Sequence, residues 1–336
     1  MILVTGGTGL VGAHLLYKLV SDNKHVKATY RNEKSLEKTK RIFSYYSSNY
    51  KNLIDKITWV KADITNIPEL TLAFNKVTYV YHCAAFISFD EKHFQALRKI
   101  NIEGTANIVN LCLAYNIKKL CYVSSVATLG TPLKGTPATE NTIWNPESDN
   151  NVYAISKYGA EMEVWRATQE GLDVVMVNPG VIIGPGIWDA GTGILFKKAR
   201  KGLAYYTTGN VPLVAVNDVV LTMINLLNSP IKNKRFVIVA KNYSYKVFLE
   251  MLAKAVSSKP PKKIAGPWLL SLAWKLDWIK STLSSKPRAL TKHIAEALQN
   301  KTTYNNANII TAINYNFTAI ETCIEETGSL YLKEKI

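Results

Sequence analysis

The stretch TGGTGLVG, residues 5–12, decides how the rest of the chain is read. It closes an apolar run, Met1–Val4, and opens the helical pattern LVGAHLLYKLVSD. Its glycines at 6, 9 and 12 fit T-G-x-x-G-x-x-G. Gly6 permits a sharp turn, Gly9 lets the backbone approach a pyrophosphate, and Gly12 allows close helix–strand packing. Thr8, Leu10 and Val11 then stand at a helix start, where unpaired N–H groups and a partial positive charge suit a phosphate. A glycine motif on a strand–turn–helix at the head of a βα series points to a bound dinucleotide.

That series continues outward from the loop. Short β-branched runs at 25–30, 57–63, 79–85, 119–125 and 172–180 alternate with helical patterns. Repeated βα units of this size predict an α/β fold, a doubly wound parallel sheet covered by helices on both faces. After residue 180 the rhythm loosens, although 235–240 reads as one further strand. The expected organisation is a nucleotide-binding domain over 1–180 and a smaller, mostly helical substrate lobe over 181–336. Residues of about 210–240 are expected to return to the first domain.

Bulk properties narrow the function. The 336 residues are 47% hydrophobic and 20% charged, as in an ordinary folded protein. An excess of 41 Lys+Arg over 25 Asp+Glu gives +16, but no long basic block or RNP-like motif accompanies it. It reads as a solvated surface, and nucleic acid is not an expected partner. Cys83, Cys112, Cys121 and Cys323 form no CxxC, and the five histidines form no HxxxH, so neither a disulfide framework nor a metal site is expected. The start at MILVTGG has no basic leader, which makes the cytoplasm the default location. IAGPWLLSLAW, residues 264–274, is too short to span a bilayer. Core or pocket lining is its expected role, ahead of an amphipathic membrane-surface helix.

The ends of the next strands specify the cofactor. About 20 residues beyond the loop an NAD site places an acid for the ribose hydroxyls. Here the segment reads ATYRNEKS, with Tyr30, Arg31 and Asn32 at that place. A guanidinium there suits a 2′-phosphate, which predicts NADP(H) over NAD(H), read by Arg31 with help from Lys34. Asp63 can accept from an adenine amino group with Ile64 against the ring. Ala84 and Ala85 are small where bulk would block a dinucleotide.

YAISK, residues 153–157, carries the candidate chemistry, yet Tyr-x-x-x-Lys occurs four times among 18 tyrosines. Tyr30/Lys34 falls at the adenosine end, Tyr115/Lys119 straddles a helix end, and Tyr331/Lys335 lies in the tail. Only Tyr153/Lys157 follows a serine-bearing strand end, YVSSVATLG, with Ser124 and Ser125. On a helix the pair shares one face. A Lys one turn away can stabilise a phenolate, and a serine hydroxyl can hold a carbonyl oxygen.

TGGTGLVG, ADIT, HCAAF, NIEGT, VSSVATLG, YAISK and NPGVIIGP together resemble the extended short-chain dehydrogenase/reductase family. The nearest branch is that of dihydroflavonol-4-reductase-like and 3β-hydroxysteroid-dehydrogenase-like enzymes. The C-terminal pattern KPRALTKHIAEAL…TTYNNANIITAINYNF matches that branch loosely. The resemblance implies an NAD(P)-binding Rossmann sheet with Ser125 as catalytic hydroxyl (Ser124 is its neighbour), Tyr153 as acid/base, and Lys157 binding ribose and lowering the tyrosine's pKa. It also implies Pro179 and Val181 over the nicotinamide, Asn101 beside the active-site helix or as a buried cap, and Asp218 as a structural cap. The expected activity is NADP(H)-dependent reduction of a ketone or aldehyde, or the reverse oxidation. Trp188, Tyr205, Tyr206, Trp268 and Trp274 suggest that the substrate is hydrophobic. The alternatives are a nucleotide-sugar epimerase with tightly bound NAD and a non-catalytic NADP-binding regulator. Val126 and Ala127 replace the Asp-Glu of the family's dehydratases and argue against dehydration. A homodimer through NIEGTANIVNLCLAYN and YAISKYGAEMEVWRATQ is the family expectation.

Overall fold

The first strand takes the centre of a seven-stranded parallel sheet. β1 (Ile2–Thr5) pairs on one side with β2 (Val26–Tyr30), Leu3 opposite Lys27, and β2 pairs with β3 (Ile57–Lys61). On its other side β1 meets β4 (Tyr79–His82), followed outward by β5 (Lys119–Val123) and β6 (Val174–Pro179). The sequence continues through β7 (Val181–Ile183), β8 (Tyr205–Tyr206) and β9 (Asn210–Ala215) before β10 (Lys234–Ile238) completes the sheet beside β6. The order β3-β2-β1-β4-β5-β6-β10 reverses direction next to β1, and ligands of doubly wound sheets bind at such a switch point. The computed structural model describes residues 1–284, 288 and 290–334. Lys335, and part of the KPRAL motif, lie outside the described residues.

Continuous apolar strands require cover on both faces. Helices Leu10–Ser21 and Val216–Asn228 cover one face, where Leu15, Leu19, Val219 and Met223 pack on Val4 and Val177. Helices Ile67–Phe74, Gly104–Ala114 and Val152–Gln169 cover the other through Leu70, Ile108 and Val164. The open edge of β10 is blunted by Glu140, whose Oε1 accepts from the Val237 N–H at 2.8 Å.

The strand exits then converge on the glycine loop. Gly6 has φ +70°, and a Cβ there would stand 2.6 Å from the Ala84 nitrogen. A Cβ on Gly12 would stand 2.2 Å from the Gly6 carbonyl oxygen. What Gly12 allows is therefore the approach of the helix to the turn itself, closer than the helix–strand contact expected of it.

A smaller three-stranded sheet sets β9 between β7 and β11 (Lys241–Ser244). Its core holds Phe196, Leu213, Phe248 and Ile324. Trp188 belongs to this core, 2% exposed between Phe196 and Tyr331. Helix Pro267–Ser284 departs from the core expectation in the opposite sense: Trp268 is 77% and Trp278 54% exposed. Among the described residues, no helix is long and apolar enough to cross a membrane.

Asp218 ties the tail to the sheet. Its carboxylate accepts from the Tyr315 hydroxyl at 2.8 Å, the Thr318 hydroxyl at 2.9 Å and the Thr318 N–H at 3.0 Å. Burial raises its pKa, against the pull of those three donors. Asp218→Ala should cost about 2–4 kcal/mol by orphaning the buried Tyr315 hydroxyl. The expected readout is a lower urea midpoint at unchanged m value, with cofactor affinity retained.

Candidate active site

The glycine loop leaves a polar cradle. Gly9 caps helix Leu10–Ser21 without a side-chain hydrogen bond, and the first turn holds no acid. A Cβ built on Gly9 would meet only the Gly6 carbonyl oxygen, at 3.4 Å, so its outer side is open. The N–H groups of the first turn, from Leu10 and Val11 onward, therefore have no side-chain acceptor and fit a pyrophosphate. Thr8 lies half-buried beside them. Ala84 packs against Gly6, and Ala85 is exposed at the same strand exit.

At the end of β2, Arg31 is paired with Asp63 across 3.7 Å. Both sequence-chosen cofactor readers thus begin by contacting each other. Burial raises the Asp63 pKa, but bonds from the Thr65 N–H and hydroxyl, together with the Arg31 charge, outweigh it and leave the carboxyl below its usual range. Lys34 is exposed on a short turn capped by Asn32. Ile64 departs from expectation: its side chain is 5% exposed and buried against Gly104, not presented to a ring.

Helix Val152–Gln169 carries the candidate acid/base pair. Asn151 caps it by accepting from the Ala154 N–H at 2.9 Å, which fixes the register of Tyr153, Lys157 and Glu161 at i, i+4 and i+8. Burial raises the Tyr153 pKa, and the neighbouring Ser125 hydroxyl partly opposes it. Ser125 is itself held, its hydroxyl accepting from the Ala127 N–H at 3.1 Å and its carbonyl accepting from Asn178 at 3.1 Å. Ser124 points elsewhere and donates to Glu161 at 2.5 Å.

Lys157 is 2% exposed and donates to the Tyr122 hydroxyl at 2.6 Å and the Val123 carbonyl at 2.9 Å. Burial pulls its pKa down to about 7, although Glu161 and Cys83 favour its charge. Thr105, near Tyr122, contacts His82 Nε2 at 3.0 Å, and His82 Nδ1 contacts Thr5 at 2.7 Å. Burial and the nearby lysine hold His82 neutral, with its pKa down to about 3. Burial is the largest influence on both Tyr153 and Lys157.

Asn101 caps no helix and stands beside helix Val152–Gln169. It sits in a π-helical turn, Arg98–Glu103, where its amide donates to the Phe86 carbonyl and to Ser156, each at 2.9 Å, and accepts from the Phe86 N–H at 2.8 Å. It staples the loop after β4 to the catalytic helix. Pro179 is buried at the end of β6, and Val181 begins β7.

Glu161, Tyr122 and Arg235 escaped sequence reasoning. One signal was available for the first: an acid four residues after Lys157 lies on the buried face of the helix. Glu161 is fully buried and accepts from Thr128 at 2.8 Å, Asn178 at 3.0 Å and Arg235 at 2.7 Å besides Ser124.

The sequence model of the NAD-dependent epimerase/dehydratase family matches residues 2–239. A putative dihydroflavonol 4-reductase of Synechocystis sp. is 31% identical over 293 residues, 84% of this chain and 81% of that protein. UDP-glucose 4-epimerase of Vibrio cholerae is 27% identical over 68% of this chain and 67% of its own length. The solved structure of UDP-glucose 4-epimerase from Thermotoga maritima superposes with a TM-score of 0.76 at 19% identity, over 99% of this chain and 98% of that one. The chain belongs to the NAD-dependent epimerase/dehydratase family and is an NAD(P)-dependent oxidoreductase of the extended short-chain dehydrogenase/reductase type.

Proposed function

We propose that the protein is an NADPH-dependent reductase of a ketone or aldehyde on a hydrophobic small molecule. The observation that carries this reading is the placement of Ser125 beside a Tyr153 kept protonated by burial, one helical turn from Lys157. The glycine loop, Arg31, Lys34, Asp63, Ala84, Ala85, Pro179 and Val181 would hold the nucleotide. A bound reduced nicotinamide supplies a hydride. Tyr153 gives its proton to the carbonyl oxygen, while Ser125 donates a hydrogen bond to the same atom. A charged Lys157 offsets the phenolate that remains: a unit charge about 5 Å away at an effective dielectric of about 20 contributes ~3 kcal/mol, roughly two pKa units.

The apolar substrate class is supported at the mouth. Phe89 lies 5.3 Å from the Tyr153 ring, and Ile87 on the same loop is 62% exposed. Residues 1–180 serve the nucleotide in this reading and 181–336 mainly the substrate, with about 210–240 returned to the sheet. Unpaired thiols at all four cysteines suit a reducing, cytoplasmic compartment. Exposed Ile155 and Met162 on the catalytic helix support a homodimer through helices Gly104–Ala114 and Val152–Gln169.

Preference for NADPH rests on exchange at Arg31. The Arg31–Asp63 pair is long and exposed, worth about 0–1 kcal/mol, whereas a charge-assisted phosphate contact contributes about 1.5–3 kcal/mol. Fluorescence titration of Arg31→Ala should show NADPH affinity down about tenfold or more, with NADH affinity within about twofold. Equal loss for both cofactors would remove Arg31 as the phosphate reader. NAD retained on the purified protein, with activity on nucleotide sugars, would replace the reductase reading by an epimerase.

Tyr153→Phe should lower kcat for carbonyl reduction by a factor of about 100 or more while NADPH still binds. Persisting turnover would contradict the assignment of the acid.

The pH dependence follows from two groups that must both be protonated for reduction. Lys157, faced by Tyr122, Cys83, His82, Tyr153 and Glu161, loses its proton near pH 7, whereas Tyr153 holds its proton beyond its usual range. Reductive kcat/KM for NADPH, which reports the free enzyme, should be flat at low pH and fall as pH rises through about 7. A descending limb only near the ordinary lysine value would remove the Lys157 titration from the reaction.

A further inference from the structure

Helix Pro267–Ser284 is apolar nearly all round, and such a helix normally requires cover on every side. Among the described residues, one side of it is covered. Leu269, Leu270 and Trp274 pack with Leu290, Ala295 and Leu298 in a small cluster against helix Lys292–Ala297. On the outer side Trp268, Leu272, Leu276 and Ile279, spaced i, i+4, i+8 and i+11, form a single stripe that is 77%, 41%, 56% and 47% exposed. Trp278 stands exposed beside the stripe, and Ile264, 56% exposed, precedes it.

The charge around this stripe is one-sided. Lys259, Lys262, Lys263, Lys275 and Lys280 are all exposed, and Asp277 is the single acid between 259 and 284, a balance of 5 − 1 = +4. Asp277 is turned back into the fold, where it accepts from the Leu290 N–H at 3.1 Å. Tryptophans and leucines flanked by lysines are the composition of a helix that lies in a membrane interface. A second copy of the chain on the same face would bring one set of lysines against another. An anionic surface is complementary to it.

We propose that helix Pro267–Ser284, with the basic run that precedes it, docks the protein peripherally on an anionic membrane surface. The inference does not rest on the catalytic reading, because it concerns a face remote in sequence from the nucleotide cradle and is tested without turnover. It has a consequence for the active site. Helix Lys292–Ala297, on which the docking helix sits, is held through His293 to Asp149 at 3.0 Å and to Glu91 at 3.9 Å. Those residues stand two positions from the helix cap Asn151 and from Phe89, so the element that carries the docking helix is tied to the segments beside Tyr153.

The test is co-sedimentation of the full chain with vesicles of phosphatidylcholine alone or mixed with phosphatidylglycerol. Binding is expected to the anionic vesicles only, with a blue-shifted tryptophan emission, and to be lost as salt is raised. The double variant Lys262→Glu/Lys263→Glu should bind roughly 25-fold more weakly or worse, at roughly fivefold per lysine removed. Trp268→Ser/Leu272→Ser should lose at least about tenfold with an unchanged melting temperature, since both side chains are exposed in the folded chain. No binding to anionic vesicles at low salt would overturn the proposal, as would binding that neither pair of substitutions changes. A dimer in gel filtration that Trp268→Ser dissociates, without vesicle binding, would assign the face to a second copy instead.

Discussion

A single buried carboxylate organises the catalytic end of this molecule. Glu161 lies wholly inside the protein, where an unpaired ionised carboxylate would cost several kcal/mol. It is offset by donors from separate segments: Ser124 at the end of β5, Thr128 in the turn after it, Asn178 on β6 and Arg235 on β10. Because one group holds all four, the exits of β5 and β6, the start of β10 and helix Val152–Gln169 are tied to one point. Ser124 is consumed by this contact, and Ser125, the next residue on an extended chain, faces the opposite way and meets Tyr153. Which of the two serines is tied up is thus decided by a residue far along the chain, Glu161.

The same low-polarity interior sets the protonation of the reacting groups. Burial works in opposite directions on a phenol and an amine, raising Tyr153 and lowering Lys157. In the resting protein both therefore lean toward their neutral forms. Such a pair resembles a charged base less than a proton donor waiting for a negative charge to form. Lys157 donates to Tyr122, and His82 joins Thr105 to Thr5 at the edge of the glycine loop, with every one of these side chains nearly inaccessible. A neutral His82 completes it by accepting or donating at either ring nitrogen without adding charge beside the lysine.

Legibility of the sequence followed the physics of each region. All seven strands of the main sheet were readable, because parallel strands buried on both faces are continuous β-branched runs. The turn glycines were readable because only they tolerate backbone at the distances seen at Gly6 and Gly12. β7, β9 and β11 were not read as strands. β7 follows β6 after the single residue Gly180, and β9 is interrupted by Pro212, so neither carries an independent periodic signal. Among the site residues, the Tyr153/Lys157 spacing could be seen locally. The roles of Glu161, Tyr122 and Arg235 could not, since each depends on partners brought together by the sheet. Arg31 and Asp63 were each read correctly as strand-end residues, but their mutual ion pair is a neighbour effect between β2 and β3 that no single segment contains.

The tryptophans show the limit of composition most clearly. Trp188 and Trp268 were grouped as candidate pocket lining, yet one is sealed in the second core and the other is the most exposed tryptophan of those singled out. Amino-acid type was the same; what differed was the number of elements available to cover it. Trp188 lies where the tail helix Ile320–Lys333 and the helix Gly193–Lys201 close over β9. Trp268 heads a helix packed against one short partner. An apolar helix with a single covering element has a face left over, and whether that face is a defect or a docking surface depends on what borders it. Five lysines with one inward-turned aspartate are a poor border for burial in protein and a suitable one for an anionic interface.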